Sequence, residues 1–260
     1  MPKFAANLTM LFTELPFMQR FEAAAQAGFE AVEYLFPYPF DKRELAAALR
    51  ANDLVQVLHN LPAGNWDGGE RGIACLADRT GEFREGVGMA IDYATTLGCP
   101  QVNCLIGKLP PGASLGETRA TVVDNLRFAA KELQAAGIRL LVEPINHYDI
   151  PGFYLSRTDQ ALALIDEVGS PNLRVQYDIY HAQRTEGELA NTLKNHLARI
   201  GHIQLADNPG RGEPGTGEIN YRWLFQHIDN LGYDGWIGCE YKPRGATADG
   251  LGWREELTAQ

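Results

Sequence analysis

The sequence lacks the features of secreted and membrane proteins. No apolar run approaches the roughly 20 residues that a membrane-spanning helix needs, and the amino terminus has no apolar core followed by a cleavage site. Cysteine is scarce and shows no paired spacing, which is typical of reduced thiols in the cytosol; the positions are Cys75, Cys99, Cys104 and Cys239. We therefore expect a cytoplasmic protein with no membrane partner.

Positive charge is also in short supply. The 260 residues contain 23 Lys and Arg against 33 Asp and Glu, so the formal net charge is -10 and the isoelectric point is about 5.1. An acidic surface repels phosphate backbones, and we expect no nucleic-acid partner. Otherwise the composition is that of an ordinary globular protein, with 45% hydrophobic and 22% charged residues.

What the chain contains is a regular alternation of apolar, β-branched runs with segments of helical periodicity. The predicted strands lie at 4–11, 29–36, 54–60, 101–106, 138–143, 173–178, 200–205 and 236–240. The predicted helices lie at 15–27, 42–51, 82–97, 115–136, 158–168, 186–198 and 221–231, with a short helix at the carboxyl terminus. Strict alternation implies a parallel sheet with a helix after each strand.

Eight such units in a chain of this length predict one (β/α)8 barrel, a TIM barrel, over residues 1–260. An open doubly wound sheet is the alternative. Against it, the first strand-to-helix turn lacks the Gly-x-Gly-x-x-Gly pattern of dinucleotide-binding folds. We accordingly expect no nucleotide cofactor.

The last four predicted strands each deliver an oxygen-bearing side chain at or near their carboxyl end. These residues are Glu143, Asp178, Gln204 and Glu240. The strand ends of such a barrel form its active site, so the side chains are expected to converge. Carboxylates packed this closely repel one another unless a cation lies between them. Oxygen ligands suit Mg²⁺ or Mn²⁺ better than zinc, and we predict one divalent metal ion at this cluster. For any one residue alone, a salt bridge or helix cap is the alternative.

Basic side chains are placed near the same strand ends. His59 ends the third strand and His181 follows Asp178 by three residues, so both are predicted to contact a substrate; a capping or surface histidine is the alternative for each. Arg211 lies in the glycine-rich loop after the seventh strand, a region that often binds anions in these barrels. Backbone N–H groups of residues 215–217 could assist it.

Two further features stay open at this level. His202 lies two residues before Gln204 and either fills the barrel interior or serves as a metal ligand. The segment 61–80 is glycine-rich and long for a connection, which is typical of a functional loop. Other cations are candidates for holding an acidic substrate, although each, taken singly, is more readily explained as a solvated surface charge: Arg71, Arg84, Lys108 and Lys242.

Long motifs in the chain resemble those of the hydroxypyruvate isomerase family. They are His-Asn-Leu-Pro-Ala-Gly at 59–64, Glu-Pro-Ile-Asn-His at 143–147, Gln-Tyr-Asp-Ile-Tyr-His at 176–181, the segment 206–221 and Gly-Cys-Glu-Tyr-Lys-Pro at 238–243. This family belongs to the xylose-isomerase-like barrels, with ketose 3-epimerases and endonuclease IV as relatives. The resemblance implies a (β/α)8 fold and a divalent metal held by the strand-end residues Glu143, Asp178, Gln204 and Glu240. It also implies that Glu143 and Glu240 are the paired catalytic glutamates.

The resemblance further implies an isomerase of small anionic sugar acids. Such an enzyme converts hydroxypyruvate to tartronate semialdehyde, or 2-oxo-tetronate to 3-oxo-tetronate, through an enediolate, and the motifs do not separate the two substrates. Gln204 stands where ketose epimerases usually have histidine, and Asp149 stands where they have glutamate. Both differences argue against the alternative of a ketose 3-epimerase.

Two other functions are more distant alternatives. An endonuclease IV-like nuclease generally needs extra histidines and a basic groove, whereas this chain has six histidines and an acidic isoelectric point. A non-catalytic sugar-acid-binding barrel is disfavoured by the two matched glutamates. A homo-oligomer is compatible with the sequence.

Overall fold

Eight parallel strands form a closed barrel in the computed structural model, which describes residues 2–259. In chain order the strands are β1 (Lys3–Asn7), β2 (Ala31–Glu33), β3 (Val55–Asn60), β4 (Gln101–Cys104), β5 (Arg139–Val142), β6 (Leu173–Asp178), β7 (Ile200–Leu205) and β8 (Trp236–Cys239). Each strand pairs with the next along the chain, and β1 also pairs with β8, which closes the sheet. The predicted (β/α)8 barrel is therefore confirmed, and the open doubly wound sheet is wrong.

Helices surround this sheet and bury their apolar faces against its outer surface. They are α1 (Arg20–Gln26), α2 (Lys42–Ala51), α3 (Thr80–Leu97), α4 (Leu115–Ala135), α5 (Thr158–Val168), α6 (Ile179–Thr185), α7 (Leu189–His196), α8 (Tyr221–Asn230) and α9 (Trp253–Thr258). Short 3₁₀ turns lie at Phe17–Gln19, Ala77–Arg79, Leu197–Arg199 and Thr247–Gly250. No helix in the described range 2–259 is long and apolar enough to cross a membrane.

The first strand is shorter than the sequence predicts. It ends at Asn7 because the Asn7 carbonyl accepts the N–H groups of Met10 and Leu11, and its side chain accepts the N–H of Thr9. These bonds turn the chain away from the sheet. The Asn7 side chain is thereby left at the carboxyl end of β1, buried inside the barrel.

Helix α6 is an addition to the predicted elements. It begins directly where β6 ends, because one carboxylate oxygen of Asp178 accepts the N–H groups of Tyr180 and His181. This is an N-terminal cap of the usual kind. The predicted helix 186–198 is observed as α7 and the 3₁₀ turn that follows it.

The barrel interior changes from apolar to polar along the strands. An apolar cluster lies inside the barrel and consists of Ala5, Ala31, Val57, Leu58 and Leu141, with Trp236 partly buried against it. Toward the carboxyl ends the buried interior side chains are Asn7, Glu33, Gln176, His202 and Gln204. Burying polar groups is unfavourable unless they are paired or serve a ligand. The carboxyl end of the barrel is therefore where a functional site is expected.

Candidate active site

A cavity of about 470 Å³ opens at the carboxyl ends of the strands. This volume is in the range of small-molecule sites. Residues that follow or end most of the strands line it, including Asn7, Glu33, Asn60, Glu143, Gln204 and Glu240. Three basic residues also face it: Arg71, Arg211 and Lys242. Three of the four strand-end residues that the sequence singles out, Glu143, Gln204 and Glu240, thus line one cavity together with His181 and Asp149, and Asp178 lies beside His181.

The most compact group of potential metal ligands is Glu143, Asp178 and His181. All three are buried, and one ligand atom from each lies within 4.8 Å of the others. His181 Nε2 is 3.6 Å from Asp178 Oδ2 and 3.9 Å from Glu143 Oε1. Asp178 Oδ2 is buried and has no hydrogen-bond partner among residues 2–259. A buried, unpaired carboxylate oxygen in an oxygen-rich group fits a divalent cation.

Glu240 and Arg211 lie beside this group. Arg211 Nη2 donates to Glu240 Oε1 at 2.8 Å and lies 3.7 Å from Asp178 Oδ2, while Nη1 is 3.9 Å from Asp149 Oδ2. The guanidinium also lies over the Tyr180 ring, 5.1 Å from its centroid. The charge of Arg211 is therefore already compensated by the carboxylates around it.

Gln204 has a defined amide orientation. Its Nε2 donates to Glu33 Oε1 at 2.7 Å, and its Oε1 accepts from Gln176 Nε2 at 2.6 Å. Glu33 is in turn paired with His202, whose Nε2 lies 2.6 Å from Glu33 Oε2. His202 therefore fills the barrel interior as the partner of Glu33. A Cβ on Gly238 would lie 2.3 Å from the Glu33 carboxylate oxygens, so only glycine leaves room for Glu33 there.

The acidic side chains of the cavity are strongly perturbed. Burial raises the pKa of Glu143 well above its ordinary value, and the charges of Glu240 and Asp178 raise it further. Burial also raises the pKa of Glu240, to about 8, while Arg211 opposes this effect. The pKa of Asp178 is raised by burial as well. Carboxyl groups in this state favour either a proton or a cation, which is typical of catalytic and metal-binding sites.

Asn146 determines the protonation of the His181 ring. The Asn146 Oδ1 accepts the N–H of Asp149 at 2.9 Å, and its Nδ2 lies 3.3 Å from Asp149 Oδ2. Both bonds orient the amide so that Nδ2 is the group facing His181 Nδ1, at 2.6 Å. Since an amide nitrogen only donates, Nδ1 must accept, and the ring proton is carried by Nε2. Nε2 is the nitrogen that faces Glu143 and Asp178.

His59, predicted as a substrate contact, does not line the cavity. Its strand neighbours Leu58 and Asn60 do, and because side chains alternate along a strand, His59 faces the surrounding helices. Its Nδ1 lies 3.1 Å from Gln56 Nε2, and its ring packs edge-on against Tyr38. Complete burial lowers its pKa to about 3. His59 is thus a neutral histidine of the core, and the prediction for it is not supported.

The glycine-rich loop after β7 does not offer its N–H groups to an anion. The Asp207 carboxylate accepts the N–H groups of Gly215 and Gly217 at 2.8 and 2.9 Å, and that of Ile219 at 3.1 Å. A Cβ on Gly217 would lie 2.1 Å from the Asn208 carbonyl oxygen. The glycines therefore allow the loop to close around Asp207, and this closed loop carries Arg211.

The comparisons with known proteins agree with this geometry. A family model described as a xylose isomerase-like TIM barrel matches residues 21–257. The chain belongs to this family. It is 58% identical over 255 residues to the hydroxypyruvate isomerase of Escherichia coli (strain K12), a match that covers 98% of this chain and 99% of that protein.

A second relative is the 2-oxo-tetronate isomerase of Cupriavidus necator, 50% identical with 97% of both chains covered. Among solved structures, a protein described as an AP endonuclease of family 2 from Brucella melitensis is 43% identical, with a TM-score of 0.96 over 98% of this chain and 99% of that one. An L-ribulose 3-epimerase matches with a TM-score of 0.78 at 22% identity, over 100% of this chain and 87% of that one, and shows the shared fold alone. The resemblance to the hydroxypyruvate isomerase family is confirmed, and the chain is an isomerase.

The residues that sequence reasoning missed are chiefly Glu33, Asn103 and Asn146. Glu33 ends β2 in the same way that Asp178 ends β6, so the same pattern would have found it. Asn103 donates to Glu143 Oε2 at 2.9 Å from the neighbouring strand, a contact that follows only from the barrel register. Asn146 belongs to a recognised motif, but its role depends on a side chain 35 residues away.

Proposed function

We propose that the protein is a metal-dependent isomerase that moves the carbonyl group of a short 2-oxo sugar acid by one carbon. The substrate is hydroxypyruvate, giving tartronate semialdehyde, or 2-oxo-tetronate, giving 3-oxo-tetronate. The names of the most similar relatives support this substrate class. The observation that carries the proposal is the pair of glutamates, buried Glu143 and half-buried Glu240, in one cavity beside Asp178.

The metal site is proposed to consist of Glu143, Asp178, Gln204 and Glu240. Carboxylate and amide oxygens favour Mg²⁺ or Mn²⁺. When bound, such an ion supplies Lewis acidity toward the carbonyl and hydroxyl oxygens of the substrate. The Gln204 amide donates through Nε2 to Glu33, so its oxygen, which accepts from Gln176, is the atom that would serve as a ligand.

The two glutamates are proposed to carry the proton transfer. One takes a proton from the hydroxyl-bearing carbon, giving an enediolate, and the other delivers a proton to the neighbouring carbon. The hydroxyl of the first carbon loses its proton as that carbon becomes the carbonyl, and the former carbonyl oxygen becomes a hydroxyl. No electron is gained or lost overall, so no redox cofactor is needed. Asn103 holds Glu143 and Arg211 holds Glu240, and these contacts fix both carboxyl groups relative to the substrate.

His181 and Arg211 are proposed to contact the substrate oxygens. The tautomer that Asn146 imposes directs the Nε2–H of His181 into the cluster, where it can donate to the carbonyl oxygen as negative charge develops. Arg211 lines the same cavity, and its shortest ion pair is with Glu240. His59 has no part in this mechanism.

The proposal is tested by replacing one glutamate. Glu240→Gln keeps the size of the side chain but removes the proton-accepting oxygen, and it should lower kcat about 100-fold or more while the barrel stays folded. The assay uses metal-loaded protein with hydroxypyruvate and 2-oxo-tetronate side by side. Glu85→Gln, on the exposed face of α3, is the control for a lost carboxylate. Retention of activity in Glu240→Gln would contradict the mechanism.

The same preparation discriminates the alternative functions. A ketose 3-epimerase would convert ketohexoses faster than the acids, and a nuclease would cleave DNA that contains an abasic site. A sugar-acid-binding barrel would bind the acids without turnover. We expect turnover of the acids alone, with a large difference in kcat/KM between the three- and four-carbon substrates.

A further inference from the structure

The structure separates the five basic residues that are candidates for holding a substrate carboxylate. Arg84 lies over the ring of Phe128, on the helical layer outside the barrel. Lys108 donates through Nζ to the Gly69 carbonyl. Arg211 is paired with carboxylates of the cavity. Of the five, this leaves Arg71 and Lys242 as cavity-lining cations that make no ion pair with any described residue.

Arg71 is held in a fixed position at the cavity. Its Nη1 donates to the Trp66 carbonyl at 2.9 Å and to the Glu70 carbonyl at 2.6 Å. The guanidinium carbon lies 4.0 Å from the centroid of the Trp66 ring, so one face of the group is covered. Nε and Nη2 donate to no residue of the described range 2–259. One edge of the guanidinium is thus used for positioning, and donors on the other edge are available to a ligand.

The backbone around Arg71 is also fixed. Gly72 has a φ of +113°, and a Cβ there would lie 2.0 Å from the Leu105 carbonyl oxygen, so the chain lies directly against the end of β4. Glu70, on the other side, is bonded to the backbone of Asn65 and to Arg79. The loop that the sequence marks as functional is therefore a rigid support for this arginine.

We propose that Arg71 holds the terminal carboxylate of the sugar-acid substrate. This inference rests on the proposed function, because the carboxylate is the group that distinguishes these substrates from neutral sugars. The cavity also contains Glu33, Glu143, Asp149 and Glu240, which repel an anion unless a cation faces it. An arginine fork matches a carboxylate with two parallel hydrogen bonds, and a positioned fork loses little freedom on binding.

Lys242 has a different part in the same cavity. It is exposed, and its ammonium group is not tied to any described residue. A flexible ammonium group attracts an anion without fixing its orientation. We therefore assign the directional contact to Arg71 and only a general attraction to Lys242.

The experiment measures binding by calorimetry to the Mg²⁺-loaded protein. The two probes are glycerate, which has a carboxylate but no carbonyl to isomerise, and glyceramide, its neutral analogue. We expect the wild type to bind glycerate more tightly, and Arg71→Met to weaken glycerate binding about ten- to a hundredfold. Glyceramide binding should be unchanged, which shows that the cavity is intact. Arg84→Met removes the same charge outside the cavity and should leave both affinities unchanged.

Each other outcome has a definite meaning. Equal binding of the two probes by the wild type, or an unchanged preference in Arg71→Met, would overturn the assignment. So would loss of the preference in Lys242→Met alone. If Arg71→Met does not fold, Arg71→Lys keeps the charge without the fork and should still lose several-fold in glycerate affinity. A wild type that prefers glycerate but isomerises neither acid would support this subsite and refute the proposed reaction.

Discussion

The tautomer of His181 can be tested by two substitutions of Asn146. We expect the substitution that changes the side chain less in size to lower kcat more. Asn146→Ala removes the donor to His181 Nδ1 and leaves the ring free to adopt either tautomer. It loses the hydrogen bond to His181 and the two to Asp149, and we expect kcat to fall a few-fold to about tenfold. Asn146→Asp is closer in size but presents a carboxylate, which accepts a hydrogen bond and therefore favours a proton on Nδ1. The ring proton then leaves Nε2, the nitrogen that faces the substrate, and kcat should fall on the order of 10² to 10⁴.

The measurements are steady-state kinetics and nitrogen-15 chemical shifts of the His181 ring. The wild type should show a protonated Nε2, and Asn146→Asp a protonated Nδ1. Thermal unfolding accompanies both, because the new carboxylate lies close to Asp149 Oδ2, the present partner of Asn146 Nδ2, and some loss of stability is expected. A side chain that acted only by filling space would make the aspartate variant the more active one. That ranking, or an unprotonated Nε2 in the wild type, would refute the reasoning.

Two further predictions concern the acidic cluster. Burial raises the pKa of Glu143 and brings that of Glu240 to about 8, so the metal-free protein holds protons that must leave when a cation binds. Mg²⁺ or Mn²⁺ affinity should therefore rise with pH, by about tenfold per unit for each proton released, until both glutamates are ionised in the metal-free protein. Calorimetry in buffers of different protonation enthalpy counts the protons, and the absence of proton release would contradict the prediction. Gly238→Ala should displace Glu33 from Gln204, lowering the free energy of unfolding by about 1–3 kcal/mol and weakening the metal site. Gly245→Ala, whose Cβ has no neighbouring atom within 4 Å, is the control in thermal unfolding and metal titration. If both variants have the same melting temperature and metal affinity, Gly238 does not constrain Glu33.

The fold was readable from the sequence because all eight strands and most of the helices carry their own periodicity. The carboxyl ends of β5 to β8 could likewise be recognised, since an apolar run that ends in Glu143 or Asp178 is a local pattern. His59 shows the limit of such reasoning. It lies one residue from Leu58 and Asn60, which line the cavity, and a difference of one residue decides which face of the strand a side chain occupies. The sequence alone did not determine which face of β3 His59 occupies.

Contacts between distant segments could not be predicted either. The choice of Arg71 over Arg84 and Lys108 depends on which carbonyl groups and rings surround each cation. The same is true of the orientation of the Gln204 amide, which Glu33 imposes from the far side of the barrel. The residue types of the site were thus predictable from the sequence, whereas the contacts that orient their side chains were not.

The two carboxylate oxygens of Asp178 have different roles, and this affects how the enzyme could evolve to accept other substrates. Oδ1 starts α6 by accepting the N–H groups of Tyr180 and His181, while Oδ2 lies beside His181 and Arg211 and makes no hydrogen bond with residues 2–259. A proposed metal ligand and a proposed proton donor are therefore joined by three residues of chain and one cap. This short unit can keep the chemistry constant while the loops after β3 and β8, which carry Arg71 and Lys242, vary independently. New substrates are then accessible through these loops without rebuilding the reaction centre.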